Sequence, residues 1–457
     1  MVRRYCELVR NSGPSAASAE TQARSEKWQR GTVGPARFAV SAHFLVMGLT
    51  GGVWMARVPA AKSQVHLSDG TLGIALLAVP VGLVLGAALA ERLVDRLGSR
   101  LLARICGVGS CLAVMTPGLA HTLPELMAGL FVIGVVGGTL DVSLNAQGVR
   151  VESAYGRPVM TSMHAFYSLG AILGSLAGGG LAWAGAGLLP SLVAIGVLGA
   201  LIDGTAGPWL LPEKSRLAPA TPAVPAPAAN WPDSPPVPSG ASVTDDTADA
   251  RRRVRRLVLA LGVLGVCGLV GEGAAGDWSA VYLQDNLGTS AGLAALGFSA
   301  FSVTMTLGRG VGDRLIHRFG VVSVIRVGGM IATVGIALAL ATPAPAVAIA
   351  GFTAFGAGLS IVVPQVFAAG GRADPFRPGS GLARVVGLGY TGMAAGPAII
   401  GLVADKIGLH LALLIPLALA AWIAVAATAL RPPARVPDPT QAEHADPDAR
   451  AAEAGIP

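Results

Sequence analysis

"ERLVDRLG", residues 91–98, places two acids and two arginines in eight positions between long apolar runs. "DRLIHRFG", residues 313–320, repeats the pattern with two arginines, one acid and a histidine. Arg92 and Arg314, Leu93 and Leu315, Arg96 and Arg318, and Gly98 and Gly320 coincide, and Glu91 and Asp313 are both acidic. Charged anchors at two helix ends would account for either octet alone. A second correspondence pairs "GVWMA" (52–56) with "GDWSA" (276–280), and a third pairs "GAILG" (170–174) with "GMAAG" (392–396). They occur in the same order in each half, which is the signature of an internal duplication.

The rest of the chain states what is duplicated. Of 457 residues, 53% are hydrophobic and only 13% charged, where a soluble chain carries about 25% charge. Apolar runs of about 20 residues, enough to cross ~30 Å of hydrocarbon, lie near 38–58, 71–90, 101–120, 125–148, 160–183, 187–211, 257–280, 291–311, 321–341, 345–367, 382–404 and 409–430. In lipid each run must satisfy its own backbone, which forces helices; barrel strands would alternate polar and apolar residues. The expectation is an all-α membrane protein with twelve transmembrane helices in two parallel six-helix repeats.

Five segments follow: an N-terminal tail (1–37), a six-helix bundle (38–211), a linker (212–256), a second bundle (257–431) and a C-terminal tail (432–457). The linker opens "PEKSRLAPATPAVPAPAANWPDSPP" and ends "DDTADARRRVRR"; its prolines forbid helix and predict a mobile connection. Each octet is expected to be a turn of three or four residues between the second and third helix of its half.

The basic excess needs no nucleic acid. With the N-terminus cytoplasmic, 30 of the 33 lysines and arginines fall on the cytoplasmic side, leaving Arg57, Lys62 and Lys406. That asymmetry orients the chain with both termini cytoplasmic. The first 36 residues contain no apolar signal core. Cys106, Cys111 and Cys267 lie in apolar helices and Cys6 in the tail, so neither a disulfide framework nor a metal site is expected. Without a phosphate-binding loop or metal-ligand cluster, the sequence predicts no enzyme and no cofactor.

The octets and the two-times-six plan resemble the major facilitator superfamily, whose signature between helices 2 and 3 is G-x-x-x-D-R-x-G-R-R. Asp95, Arg96, Gly98 and Arg100 fall on it. Glu91 stands for the first glycine and Ser99 for the first of the basic pair; the second copy has His317 at the aspartate position. The resemblance implies a solute carrier whose central cavity opens alternately to each side, with Asp95 meeting the N-terminal end of helix 11 when the inner side is shut. Asp95, Arg96, Gly98, Arg100, Arg314 and Arg318 are the expected cytoplasmic gate, with Glu152 and Arg157 from the loop after helix 4. "LNAQGVRVE" (144–152), "GRPVMTSMHAFYSLGAILG" (156–174) and "GDWSAVYL" (276–283) are similar to the branch containing the fucose permease and its bacterial inner-membrane relatives. This implies a monomeric proton symporter of a sugar-like solute in the bacterial cytoplasmic membrane.

Ionisable residues inside spans cost at least ~2.5–3.5 kcal/mol to insert and mark functional sites. Asp141 and Asn145 share a face of helix 4, and His164, Tyr167 and Ser168 a face of helix 5. Two readings stand for Asp141 and His164: they bind solute or proton, or they bond helix 4 to helix 5. Asn145 is read as interhelical. Glu272 in "GEGAAGDWSA" lies about 16 residues, ~24 Å, from the basic end of its helix; the glycines around it predict a weakened, broken helix facing the cavity. Asp277 is either a second site carboxylate or interfacial. Trp54 and Trp278 belong either to a headgroup belt or to a solute-stacking pair, and Gln365 after Pro364 is expected to reach the cavity. His43 and Asp203 are read as packing.

Two other functions remain open. Drug antiporters of the superfamily carry G-P-x-x-G-G in helix 5, where this chain reads "GSLAGG" (174–179), which keeps efflux of amphipathic compounds as an alternative. A membrane sensor working through its tails is the third.

Overall fold

The structure, a computed structural model, describes residues 16–155, 159–212, 243–373 and 378–431. Among the described residues twelve helices are long and apolar enough to span a bilayer: α1 (Gly31–Val65), α2 (Asp69–Leu97), α3 (Ser99–Leu119), α4 (Leu123–Tyr155), α5 (Ser162–Trp183), α6 (Leu188–Trp209), α7 (Arg251–Asn286), α8 (Ala291–Phe319), α9 (Val321–Ala341), α10 (Pro345–Ala373), α11 (Arg384–Ile407) and α12 (Leu409–Leu430). No strand occurs among the described residues. The helices run alternately between the face carrying the linker, here the linker face, and the far face.

The duplication is legible in the backbone. Every positive-φ residue among those described belongs to a pair: His66 and Gly288, Gly98 and Gly320, Gly185 and Gly408. The members of the first two pairs are separated by the same interval along the chain, and those of the third by one position more. Ser68 and Ser290 stand at that interval too, and each accepts the amide of the third residue after it, capping α2 and α8. The stretch Gly288–Gly292 fits the G-x-S-x-G spacing of a nucleophile turn, but its serine is this helix cap.

The octets differ from expectation. Arg92–Leu97 and Asp313–Phe319 are helical, and the whole reversal is made by one glycine, Gly98 (φ 80°, ψ 150°) or Gly320 (φ 76°, ψ 150°). A side chain is strained in that region, so glycine compresses a loop into a single residue. Helix 7 likewise starts earlier than expected, at Val243, inside the assigned linker; residues 213–242 and both tails lie outside the described residues, apart from helical residues from Ala16 onward.

Small residues set the packing. A Cβ added to Gly48 or Gly52 of α1 would strike the Tyr167 or Ala171 carbonyl of α5, and one on Gly170 or Gly174 would strike Leu45 or Leu49 of α1. Gly86 and Gly134 make the same kind of seam between α2 and α4, and their counterparts Gly308 and Gly356 between α8 and α10. Among the described residues four spans are interrupted, α2 at Leu77, α3 at Val114–Met115, α10 at Ser360–Ile361 and α12 at Leu413. Each break lies just before a proline, Pro80, Pro117, Pro364 or Pro416, which lacks an amide and whose ring crowds the carbonyl four residues back.

The bonds between the halves gather toward the far face. Ser175 and Ser299 hydroxyls are 2.7 Å apart, Lys62 bonds Asp285, and Asp405 of α11 bonds the start of α2. Toward the linker face the opposing surfaces stand apart: Phe166 and Tyr167 of α5 and Leu388 and Tyr390 of α11 are all exposed. The molecule is a crevice closed at the far face.

Candidate functional site in the crevice between the halves

Glu272 forms the centre of the site. It lies roughly four helical turns before the end of α7, ~21 Å at 1.5 Å per residue, near the middle of the span. Contrary to expectation the helix is continuous through its glycines, from Val243 to Val281. Those glycines instead admit neighbours: Gly271 lies under Leu359 and Phe355, and Gly276 under Met55.

Arg309 of α8 holds Glu272. Its Nη2 donates to both carboxylate oxygens, at 3.1 and 3.2 Å, and its Nε donates to the Ser360 carbonyl at 3.3 Å. That carbonyl is available because Pro364, four residues on, has no amide to offer it. The sequence "SIVVPQV" thus aims an arginine from the neighbouring helix at Glu272. Sequence reasoning misses this residue, counting Arg309 among the cytoplasmic bases because the eighth apolar run ends at 311. With the octet helical, α8 extends to Phe319, and Arg309 falls roughly three turns, ~15 Å, inside the span. Reading "DRLIHRFG" as helix rather than loop is the signal that finds it.

The pair lines a pocket of about 240 Å³ with Tyr167, Ser168 and Ala171 of α5, Met55 of α1, Phe298, Phe301, Ser302, Met305 and Thr306 of α8, and Met393 of α11. Both halves therefore contribute to one cavity. Tyr167 lies within electrostatic reach of Asp141 from its own half and of Glu272 and Arg309 from the other, and Tyr390 within reach of Asp141 and Glu272. Asp141 is half-buried, and α4 runs to Tyr155 rather than 148, which sets this carboxylate roughly four helical turns from the linker-face end. His164, within electrostatic reach of Asp141, is exposed, its ring centroid 4.5 Å from that of Phe44. Asp277, half-buried, continues the face of Gly273 one turn farther along α7 and has no bonded partner among the described residues.

Other expected residues stand elsewhere. Asn145 does not join two helices: its Nδ2 donates to the Asp141 carbonyl at 2.8 Å and to Asp141 Oδ1 at 3.1 Å, within α4. Trp54 and Trp278 are 5% and 0% exposed and pack inside the protein in this structure. Gln365 is half-buried beside the α10 break and outside the pocket lining. His43 and Asp203 form a fully buried pair, Nδ1 to Oδ1 3.6 Å, inside the first bundle.

At the linker face Arg92, Asp95, Arg96, Arg314 and Arg318 are exposed. Gly98 is the turn itself. Arg318 lies over the Phe319 ring, and Arg100 donates to the Pro208 carbonyl at 2.6 Å, tying α3 to the end of α6. Glu152 accepts the amides of Val159 and Met160, both at 2.8 Å, and so caps the start of helix 5, where a carboxylate meets the positive helix end. Arg157 lies outside the described residues. Among the described residues no group of three His, Cys, Asp or Glu side chains is placed to hold a metal.

Residues 39–377 and 278–455 match the family model of the Major Facilitator Superfamily. The chain is 32% identical over 392 residues to the uncharacterized transporter y4wD of Sinorhizobium fredii, covering 86% of this chain and 97% of that protein. It is 30% identical over 369 residues to an uncharacterized MFS-type transporter of Yersinia pestis, covering 81% and 89%. Among solved structures the nucleoside transporter NupG matches with a TM-score of 0.63 at 13% identity, over 86% of this chain and 98% of that one. The D-xylose-proton symporter matches at 0.60 and 15%, over 88% and 98%; identities this low speak to the fold alone. With the family matched along both bundles and relatives aligned over nearly their full length, the chain belongs to the major facilitator superfamily and is an integral membrane transporter.

Proposed function

We propose that this transporter carries a small polar solute, sugar-like in size and hydroxyl content, by alternating access and in symport with protons. The observation that carries the reading is the Glu272–Arg309 pair, set mid-span in a pocket to which both halves contribute. A charge pair at that depth is costly in lipid and is kept where it faces a cavity. The basic linker face is the cytoplasmic face of a bacterial inner membrane in this reading, and the protein acts as a monomer.

Size and charge narrow the solute. At about 240 Å³ the pocket lies just below the usual range for ligand pockets, about 300–1,000 Å³, which favours a small molecule. Asp141, Glu272 and Asp277 face the crevice region against one permanent cation, Arg309. An anionic solute would have to displace Glu272 and then confront Asp141, so neutral or cationic solutes are favoured. Tyr167, Ser168, Ser302 and Thr306 supply hydroxyls that recognise a hydroxylated body. The carboxylates without a bonded cation, Asp141 and Asp277, are the groups that would take up coupling protons, with His164 as neighbour to Asp141. That similar folds are named as a nucleoside transporter and a D-xylose-proton symporter agrees with this class.

A second reading, efflux of lipophilic cations, draws on Met55, Phe298, Phe301, Met305 and Met393 in the same lining. One experiment separates them: a thermal-shift screen of the purified protein against sugars, carboxylic acids and lipophilic cations, followed by flux in proteoliposomes under an imposed pH gradient. The symport reading expects stabilisation by a neutral hydroxylated solute and inward flux driven by external acid. Stabilisation by lipophilic cations alone, with flux opposite to the proton gradient, replaces it with efflux; stabilisation by acids alone overturns both.

A further inference from the structure

α2 and α11 run antiparallel, one in each half, and meet at the far face. There their backbones approach closely: a Cβ on Gly73 would strike the Pro397 carbonyl, and one on Gly401 the Asp69 carbonyl. The contact ends in a carboxylate. Asp405, near the C-terminal end of α11, accepts the Gly70 amide at 2.7 Å through Oδ1 and the Ser68 hydroxyl at 3.0 Å through Oδ2. It thus occupies the N-terminal end of α2, where free amides and the helix dipole favour negative charge. A Cβ at Gly70 would meet the carboxylate itself, so a side chain there would have to push Asp405 off the helix end. At the other end of the same two helices stands Asp95, near the C-terminal end of α2. It is exposed and has no bonded partner among the described residues, while α11 begins as helix at Pro378 on that face.

We infer that Asp405 is a gating residue, the far-face counterpart of Asp95. Each helix of this antiparallel pair carries, at its own C-terminal end, an acid that closes on the N-terminal end of the other. Rigid helices that tilt apart at one end converge at the other, so the two contacts exclude each other. With Asp405 seated on Gly70 the far face is shut and the crevice is open to the linker face. Release of Asp405 permits the tilt that brings Asp95 to α11. Lys62, which bonds Asp69 beside this site and Asp285 across the halves, reinforces the shut state without belonging to the exchange. The inference rests on the alternating-access reading proposed above.

The test uses the full chain in oriented proteoliposomes, with the natural cysteines replaced and one reporter, Ala171→Cys, in the pocket lining. The labelling rate by a membrane-impermeant charged thiol reagent is measured from each face. Asp405→Asn should raise far-face labelling and lower linker-face labelling by about two- to fivefold, the range for an exposed carboxylate at a helix N-terminus. Asp95→Asn should shift the ratio the opposite way, and the double variant should return it toward the parent. Gly70→Ala, which crowds the same contact while keeping the acid, should act like Asp405→Asn and serves if that variant fails to fold. A parent labelled from both faces whose ratio is unmoved by Asp405→Asn and by Gly70→Ala overturns the inference and leaves alternating access standing. A parent never labelled from the far face, under any solute or pH, overturns both.

Discussion

The Glu272–Arg309 pair makes a quantitative prediction. At 3.1 Å two unit charges attract by about 5 kcal/mol at an effective dielectric of ~20, and by about 1.3 kcal/mol in bulk water. The Glu272 and Arg309 side chains are 24% and 40% exposed, so solvent in the crevice screens them and the lower part of that range applies. Ordering two long side chains costs some of the remainder, leaving a coupling of about 1–2 kcal/mol. A double-mutant cycle isolates it. Arg309→Gln leaves a carboxylate without its cation beside Tyr167, and Glu272→Gln leaves a guanidinium held only by the Ser360 carbonyl. Each single variant should therefore lower the unfolding free energy by about 2 kcal/mol, the range for a lost hydrogen bond to a charged group. The double variant should lose less than the sum of the two, by the amount of the coupling. The assay is reversible unfolding in detergent micelles followed by tryptophan fluorescence. Single-variant losses that add in the double variant to within ~0.5 kcal/mol would refute the claim that these residues act as a unit.

Four further outcomes follow from particular contacts. Asp141→Asn combined with Asp277→Asn should abolish uptake driven by a pH gradient in proteoliposomes while solute counterflow persists; loss of neither removes these two carboxylates from coupling. Gly98→Ala forces a side chain to φ 80°, ψ 150° and should cost on the order of 1–3 kcal/mol in the same micellar assay, as should Gly320→Ala. Gln147→Leu strips a buried amide that donates to the Ser99 hydroxyl at 2.8 Å and the Leu211 carbonyl at 3.2 Å and accepts the Leu211 amide at 3.0 Å. The expected loss is about 3 kcal/mol from groups left unsatisfied, and a neutral result would show that water replaces them. Gly48→Leu should leave no monodisperse protein on size exclusion, whereas Gly51→Leu, with open space around it, should be tolerated.

The fold was legible because lipid leaves few choices. An apolar run of about twenty residues must be a helix, and a charged octet that returns in the second half can hardly be coincidence once two further echoes keep its order. The helix ends were not legible, because polarity reads as loop. Arg92–Leu97 and Asp313–Phe319 are charged and helical, since water at a helix end tolerates charge as readily as a turn does. The same assumption moves Arg309 to the membrane surface and so leaves Glu272 without its partner. Glu152 illustrates a different gap: a carboxylate near Arg150 and Arg157 suggests ion pairing, but two amides across a short loop hold it, and no spacing rule reports loop closure. Trp54 and Trp278 are identifiable as repeat mates; their burial depends on neighbours contributed by other helices.

The glycine seams divide the labour between the halves unevenly. Along α1 and α5 the main chains touch at Gly48, Gly52, Gly170 and Gly174, with no side chain between them. In the matching seam of the second half, Gly392 and Gly396 of α11 rest on the branches of Val266 and Val270 of α7. One bundle is welded along its spine; the other is shimmed with movable methyl groups. A weld transmits tilt without bending and tolerates almost no mutation, whereas a shim can be recut. A lineage adapting this carrier to a new cargo should therefore change α7 and α11 first, keeping the N-terminal bundle as the stiff lever against which the other half is tuned.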